Sequence, residues 1–424
     1  MKIAVIGGGW AGLAAAVRAA EAGHQVTLFE MAGQLGGRAR TVVVDGQQLD
    51  NGQHILIGAY HRGLALMRTV GCDVEAVLDR RPLELRYPDG RGLRMPAGPA
   101  WLGFTWALAR CQGWRNQDRF SLIRAAAGWA WAGFKCAPEM SVDLLCHGLT
   151  APVRELLIDP LCVAALNTPA DRASGQVFLR VLADALFGGP GHADLLLPRR
   201  PLSELLAAPA RAWLIQSGAR LALGHRVQTL QPNGKAWTVD GEDHDRVILA
   251  CSAAEAGRLA QGLAPQWALA AQALRYEPIV TVYLHCNGAS LPAPMTALVE
   301  GRQAPAQFAF DHGALGAAPG RFAFVISGAR AWLDQGQAAL VEAVMAQARV
   351  ALRPSRLTTE LKLLQVMAEK RATFACTPGL DRPGAQLAPG LVAAGDYVRG
   401  PYPATLEGAV RSGEQAFRLA IAPA

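Results

Sequence analysis

The sequence predicts an α/β protein built around a Rossmann-type dinucleotide-binding unit, and three observations carry that expectation. An apolar run at the N-terminus passes directly into a glycine cluster and an alanine-rich stretch. A second apolar run ends on an acid, Glu30. The chain has 424 residues, 51% apolar and 18% charged, which suits two or three domains with sizeable cores and excludes disorder.

Lys2–Ile6 reads as a buried strand, and residues 11–22 as a helix ending at Gly23, where a C-cap glycine belongs. Gln25–Phe29 reads as the second strand. Gly7, Gly9 and Gly12 then form G-x-G-x-x-G inside a β-α-β unit, with Trp10 and Ala11 as further cofactor-binding positions at the helix start. Gly7 permits the tight turn, Gly9 lets backbone N–H groups approach a pyrophosphate, and Gly12 lets helix and strand pack closely. Glu30 accepts from the ribose hydroxyls of an adenosine. This much fits NAD and FAD equally. Gly36-Gly37-Arg38 favours FAD, because more N–H groups and a cation lie a few residues past the ribose acid. At the far end, Gly390–Ala394 reads as a strand running into Gly395-Asp396. Thr405-Leu406 opens a last helix over 405–421, whose N-terminus stabilises negative charge on a reduced flavin.

On Gly7–Gly12, Glu30, Gly36-Gly37-Arg38, Gly395-Asp396 and Thr405–Ala409, the chain resembles the flavin amine oxidase / phytoene desaturase superfamily over essentially its whole length. Asp50-Asn51-Gly52-Gln53-His54, Glu369–Phe374 and Gly400–Thr405 resemble its squalene-associated branch, the hydroxysqualene dehydroxylases. The resemblance implies a discontinuous FAD-binding domain over 1–65, 200–255 and 355–424, with Val227 gripping adenine through its backbone. It implies an inserted α+β substrate domain over 66–199 and 256–354, where 278–286, 306–310 and 321–327 read as strands of an antiparallel sheet. Between 221 and 250 the chain alternates as short strands around a Pro232-Asn233-Gly234 turn. The implied activity is reductive removal of the allylic hydroxyl of hydroxysqualene, giving squalene for hopanoid-type lipid synthesis. Two alternatives use the same motifs: a carotenoid-type isoprenoid desaturase working in the opposite redox direction, and a flavin amine oxidase.

Such a reaction needs an acid near the leaving hydroxyl, a dry pocket and a hydride source. His54 is the first choice for the acid, with Asp50 raising its pKa; Tyr60, Arg371 and Tyr402 are weaker pocket candidates. The sequence shows no second strand–G-x-G-x-x-G–helix unit, so an external electron donor is expected.

Residues 100–135 read as a membrane-contacting region. Trp101, Trp106, Trp114, Trp129 and Trp131 are interleaved there with Arg110, Arg115, Arg119, Arg124 and Lys135, against one acid, Asp118. The formal net charge is +7, and only five of the 41 basic residues are Lys. Lys2 and the uncharged run after it resemble a signal peptide, but the strand–turn–helix reading explains the run better. No uncharged run reads as a transmembrane helix, so the expected location is the cytoplasm, peripheral on the inner face of the cytoplasmic membrane. The basic and aromatic composition carries no nucleic-acid signature. The eight Cys are scattered without C-x-x-C, which argues against zinc, other metal sites and disulfides, and for a reducing compartment.

Overall fold

A computed structural model describes residues 1–96, 100–352 and 360–422, with the side chains of 100–102 outside the described residues. The expected boundary at 355 and the side chain of Trp101 therefore lie outside them. In chain order, β1 (Lys2–Ile6), α1 (Trp10–Glu21) and β2 (Gln25–Glu30) form the N-terminal unit. The first inserted stretch contains α2 (Ala100–Arg110), α3 (Asn116–Trp131) and α4 (Gly175–Phe187). β3 (Arg220–Leu223) and β4 (Arg246–Leu249) follow, then β5 (Tyr276–His285), β6 (Met295–Ala297), β7 (Phe308–Asp311), β8 (Arg321–Ser327) and β9 (Lys362–Phe374). The chain ends with β10 (Gln386–Ala388), β11 (Leu391–Ala393) and α5 (Leu406–Ile421).

Two sheets organise the molecule. The first has the order β3-β2-β1-β4-β11-β10, parallel except for the last pair. Its central strands are continuous apolar runs because both faces are covered: Ile3, Ala4 and Val5 of β1 and Val247, Ile248 and Leu249 of β4 are fully buried. Three distant segments of the chain supply these strands. The second sheet is antiparallel, in the order β6-β7-β8-β5-β9. A helix over Gln337–Ala351 covers one side of it with Leu340, Val344 and Ala348, four residues apart and fully buried.

α1 and α5 pack with almost no space between their backbones, since a Cβ at Gly413 would lie 2.1 Å from the Ala11 carbonyl oxygen. The expected 232–234 turn falls later. Asn233 pairs with Ala236 across a Gly234-Lys235 turn, and Gly234 takes the positive φ of +62°. All eight cysteines are free. No helix among the described residues is long and apolar enough to cross a membrane.

The aromatic–basic stretch divides between core and surface. Trp114 is buried, Trp129 packs partly against the core, and Asp118 is buried where it caps the Arg115 N–H. Phe120, Ile123 and Trp131 of α3 are 68%, 52% and 95% exposed, and with Arg124 they share one outward face at helical spacing.

Candidate active site

A cavity of about 620 Å³ is lined jointly by the two sheets and the segments that join them. One part of the lining comes from the carboxyl ends of the parallel strands. There Gly7 adopts φ +114°, and a Cβ would stand 2.5 Å from the Ala250 carbonyl oxygen; at Gly12 it would stand 1.8 Å from the Gly7 carbonyl oxygen. Only glycine therefore lets α1 start so close to β1. The Gly36 N–H donates to Gly8 O at 2.8 Å, bringing the second glycine pair against the first. The Glu30 carboxylate, which lines the cavity, is held by the N–H groups of Gly8 (2.7 Å) and Ala32 (2.8 Å) and keeps further acceptor capacity. Val227 lines the same region beside His225 and Arg226, and its carbonyl already accepts from Arg258 at 2.6 Å.

Gly36-Gly37-Arg38 and Gly395-Asp396 meet directly. Arg38 donates to Asp396 Oδ1 at 2.6 Å and to the Ala372 carbonyl at 2.6 Å. Thr405 caps α5 by accepting from the Gly408 N–H at 3.0 Å, and Thr405, Leu406 and Ala409 line the cavity. Glu407 on the same turn points away from the cavity. It accepts from Gly63 N at 2.8 Å and pairs with Arg411 at 2.7 Å, tying α5 to the helix at His61–Thr69.

The second part of the lining is apolar and comes mainly from the antiparallel sheet: Ile279, Phe308, Phe310, Val325 and Met367, with Ala164 and Ala165. The loop 51–55 and residues Glu369–Thr373 lie where the two parts join. Asn51 Nδ2 bridges Glu369 Oε2 and the Arg38 carbonyl, each at 3.1 Å, so two sequence motifs more than three hundred residues apart share one edge. The Arg371 N–H fixes the other oxygen of Glu369 at 3.1 Å.

Of the singled-out positions, Gly12, Asp50 and Tyr402 do not line this cavity; the others do. Asp50 is buried and faces away, with Oδ1 accepting from Thr41 Oγ1 (2.7 Å) and Leu202 N (3.0 Å). It does not pair with His54, so the expected Asp50–His54 couple is not formed. His54 Nδ1 stands 3.1 Å from Gly52 O. Burial pushes the imidazole pKa down and Arg38's charge adds to the shift, outweighing the Gly52 contact. An imidazolium at neutral pH, as the acid role required, is therefore not what this environment favours. Tyr402 instead lies under the guanidinium groups of Arg180 and Arg411. Sequence reasoning missed Glu369, Tyr276 and Tyr397 as lining residues, although Glu369 opened one of the quoted strings. Burial, reinforced by Asp396, pushes the Tyr276 phenol up to about 12.

Trp10 Nε1, Gln53 Oε1 and Tyr397 OH are buried without a hydrogen-bond partner, and all three residues line the cavity. A glycine-walled cradle, a held acid and buried polar atoms without partners are what an adenine dinucleotide with a polar ring system satisfies.

Fold and cavity together define an FAD-dependent oxidoreductase. Residues 5–70 match the NAD(P)-binding Rossmann-like domain, and residues 147–420, more than half of the chain, match the flavin containing amine oxidoreductase family. The hydroxysqualene dehydroxylase of Rhodopseudomonas palustris is 30% identical over 438 aligned residues, covering 99% of this chain and 98% of that protein. The zeta-carotene desaturase of Synechocystis is 39% identical over 72 residues, 17% of this chain and 15% of that one. Among solved structures, an oxidoreductase from Methanosarcina mazei superposes with a TM-score of 0.73 at 17% identity, covering 99% of this chain and all of that one, which supports the fold. The chain belongs to the flavin containing amine oxidoreductase family and, within it, to the hydroxysqualene dehydroxylases.

Proposed function

We propose that this protein removes the hydroxyl of hydroxysqualene reductively, giving squalene and water. The observation that carries the reading is the single cavity whose lining is half dinucleotide cradle and half apolar wall, in a chain related end to end to a hydroxysqualene dehydroxylase. Bound FAD, in its reduced state, supplies the hydride. Gly7, Gly9, Trp10, Ala11, Gly36, Gly37 and Arg38 hold its diphosphate region, with Gly12 packing α1 close behind them; Glu30 holds its ribose, Val227 its adenine, and Asp396, Thr405 and Leu406 its far end. The FAD-holding unit is assembled from 1–65, 200–255 and 375–424, and the substrate unit from 66–199, 256–354 and β9; the pairing of β9 with β5 along its length supports moving it out of the expected 355–424 segment and into the substrate unit.

The leaving hydroxyl needs one proton, and the carbon it leaves needs protection from water. Phe308, Phe310, Ile279, Val325 and Met367 exclude water and present π faces and apolar surface to the positive charge that develops there. Proton handling falls to Glu369 in place of His54: Asn51 and Arg371 hold its carboxylate at the junction of the polar and apolar linings, where it takes up a proton from solvent and passes it to the leaving hydroxyl. His54 and Asp50 keep the 50–54 loop in place. The substrate reaches the cavity from a membrane surface contacted by α3, and the reductant comes from outside the chain.

The test is anaerobic. The protein is pre-reduced and mixed with 12-hydroxysqualene while flavin reoxidation and squalene formation are followed. One squalene per flavin reoxidised is the expected result. Inertness toward hydroxysqualene, with reduction of the oxidised protein by a polyene precursor, transfers the chain to the desaturases.

A further inference from the structure

We propose that an arginine-lined depression beside the cofactor cavity is the docking site of an acidic one-electron carrier protein that reduces the flavin. The depression encloses about 230 Å³ and is lined by Arg62, Arg382, Arg399, Arg411 and Arg418, against Asp396 and Glu414.

Those two carboxylates are already engaged. Asp396 pairs with Arg38 at 2.6 Å. Glu414 takes two hydrogen bonds from Arg18, at 2.9 and 2.8 Å, and Arg62 stands off at 3.6 Å. Glu407 neutralises Arg411 from behind. Arg399 pairs with Asp381, but their side chains are 64% and 82% exposed, so solvent screens the pair. Arg418 is exposed and has no ion-pair partner among the described residues. Arg382 is only 8% exposed and donates to the carbonyls of Asp396, Tyr402 and Gly400, none of them a carboxylate. A buried cation held by backbone carbonyls and the face of the Phe374 ring, with no carboxylate hydrogen-bonded to it and rimmed by exposed arginines, leaves an excess of positive field in a concave patch. Such a patch steers acidic partners.

The location says which acidic partner. Asp396 lines both this depression and the cofactor cavity, and Gly408 on its rim precedes Ala409 on the cavity wall. A hydride donor has to enter the cavity and stack on the flavin, where the lipid substrate must also lie. An electron carrier has only to come close. Two carriers in succession each deliver one electron, and with two protons from solvent they convert FAD to FADH₂. Dehydroxylation then consumes the hydride and one proton, returns FAD, and releases water. This inference rests on the reductive reading above.

The experiment uses the FAD-loaded protein and reduced flavodoxin, an acidic one-electron carrier, as the probe. Arg399→Glu and Arg418→Glu are combined, both outside the cofactor site. Calorimetric binding of oxidised flavodoxin and the stopped-flow rate of flavin reduction are measured at low and high salt. The parent protein is expected to bind and be reduced in a strongly salt-dependent way. The double variant is expected to lose on the order of ten-fold or more in both at low salt, with little salt dependence left. Its melting temperature and its photoreduction should match the parent. Unchanged binding and rate, or a parent rate indifferent to salt, overturns the proposal. So does loss of binding to anionic vesicles with flavodoxin binding intact, which makes the face a lipid contact. A bound flavin that photoreduction cannot reduce overturns the redox reading itself.

Discussion

A methyl group at position 12 would stand 1.8 Å from the Gly7 carbonyl oxygen, so Gly12→Ala pushes the first turn of α1 off β1 and spoils the cradle. The variant is expected to purify with at most about a tenth of the parent's flavin, the loss reaching FAD through misplaced N–H groups. Flavin absorbance per protein measures it, and a full complement would remove these glycines from the cofactor account. Glu369→Gln should keep flavin and lower the single-turnover rate with hydroxysqualene on the order of 10²-fold, the usual worth of positioned proton transfer. His54→Gln should cost far less; the reverse ranking returns the proton to His54. The local geometry at the glycines and Glu30 was legible in the sequence: a turn, a close approach, an acid at a strand end. The surroundings of His54 and Asp50 were not. His54 titrates under burial and the charge of Arg38, and Asp50 is turned by Leu202, 152 residues further on. Glu369 was visible as a letter, but its partner Asn51 is fixed only by the tertiary fold.

α5 contributes to both the core and the cavity. Gly413 lets it rest on α1, and Leu406 and Ala409 face the cofactor site. Gly413→Ala drives a methyl group against the Ala11 carbonyl, and overpacking of this kind costs about 1–3 kcal/mol. Lower stability in urea and weaker flavin retention should appear together, since one helix serves both; a change in neither would mean the two helices separate freely. In the antiparallel sheet, His312 follows β7 and packs edge-on against Tyr283, whose hydroxyl donates to the Asp50 carbonyl. Burial, with Arg321 adding to it, lowers the His312 pKa to about 4. The unfolded chain therefore binds the proton more readily, and this stability is complete above about pH 6.5 and lost as pH falls toward 4. His312→Phe should flatten the fall in urea stability between pH 7 and pH 5. An unchanged slope would assign acid sensitivity to other groups, such as His54 and His244, which burial shifts the same way. The elements themselves were readable from apolar periodicity, and β1, α1, β2 and α5 lie within a residue of expectation. The order β3-β2-β1-β4-β11-β10 was not readable from periodicity alone, because parallel neighbours come from segments some two hundred residues apart.

A molecule with about thirty carbons stays in the bilayer: at about 0.8 kcal/mol per CH₂, its transfer to water costs up to roughly 24 kcal/mol. The proposed function therefore has the enzyme meet it at the membrane and offer a continuous apolar path. The outward face of α3 carries the side chains that this reading calls for, with Phe120, Ile123 and Trp131 exposed beside Arg124 on a chain of net charge +7. These side chains add little to the core, so removing them should leave the fold and the flavin intact. Phe120→Ser combined with Trp131→Ser is expected to weaken binding to anionic vesicles by about ten-fold, consistent with losing two large apolar anchors. Turnover of hydroxysqualene embedded in those vesicles should fall with it, while turnover of detergent-dispersed substrate should hold. That split separates a docking defect from a catalytic one. Equal loss in vesicles and detergent would place α3 in the substrate path itself, and no loss in either would move the membrane contact to another face of the molecule.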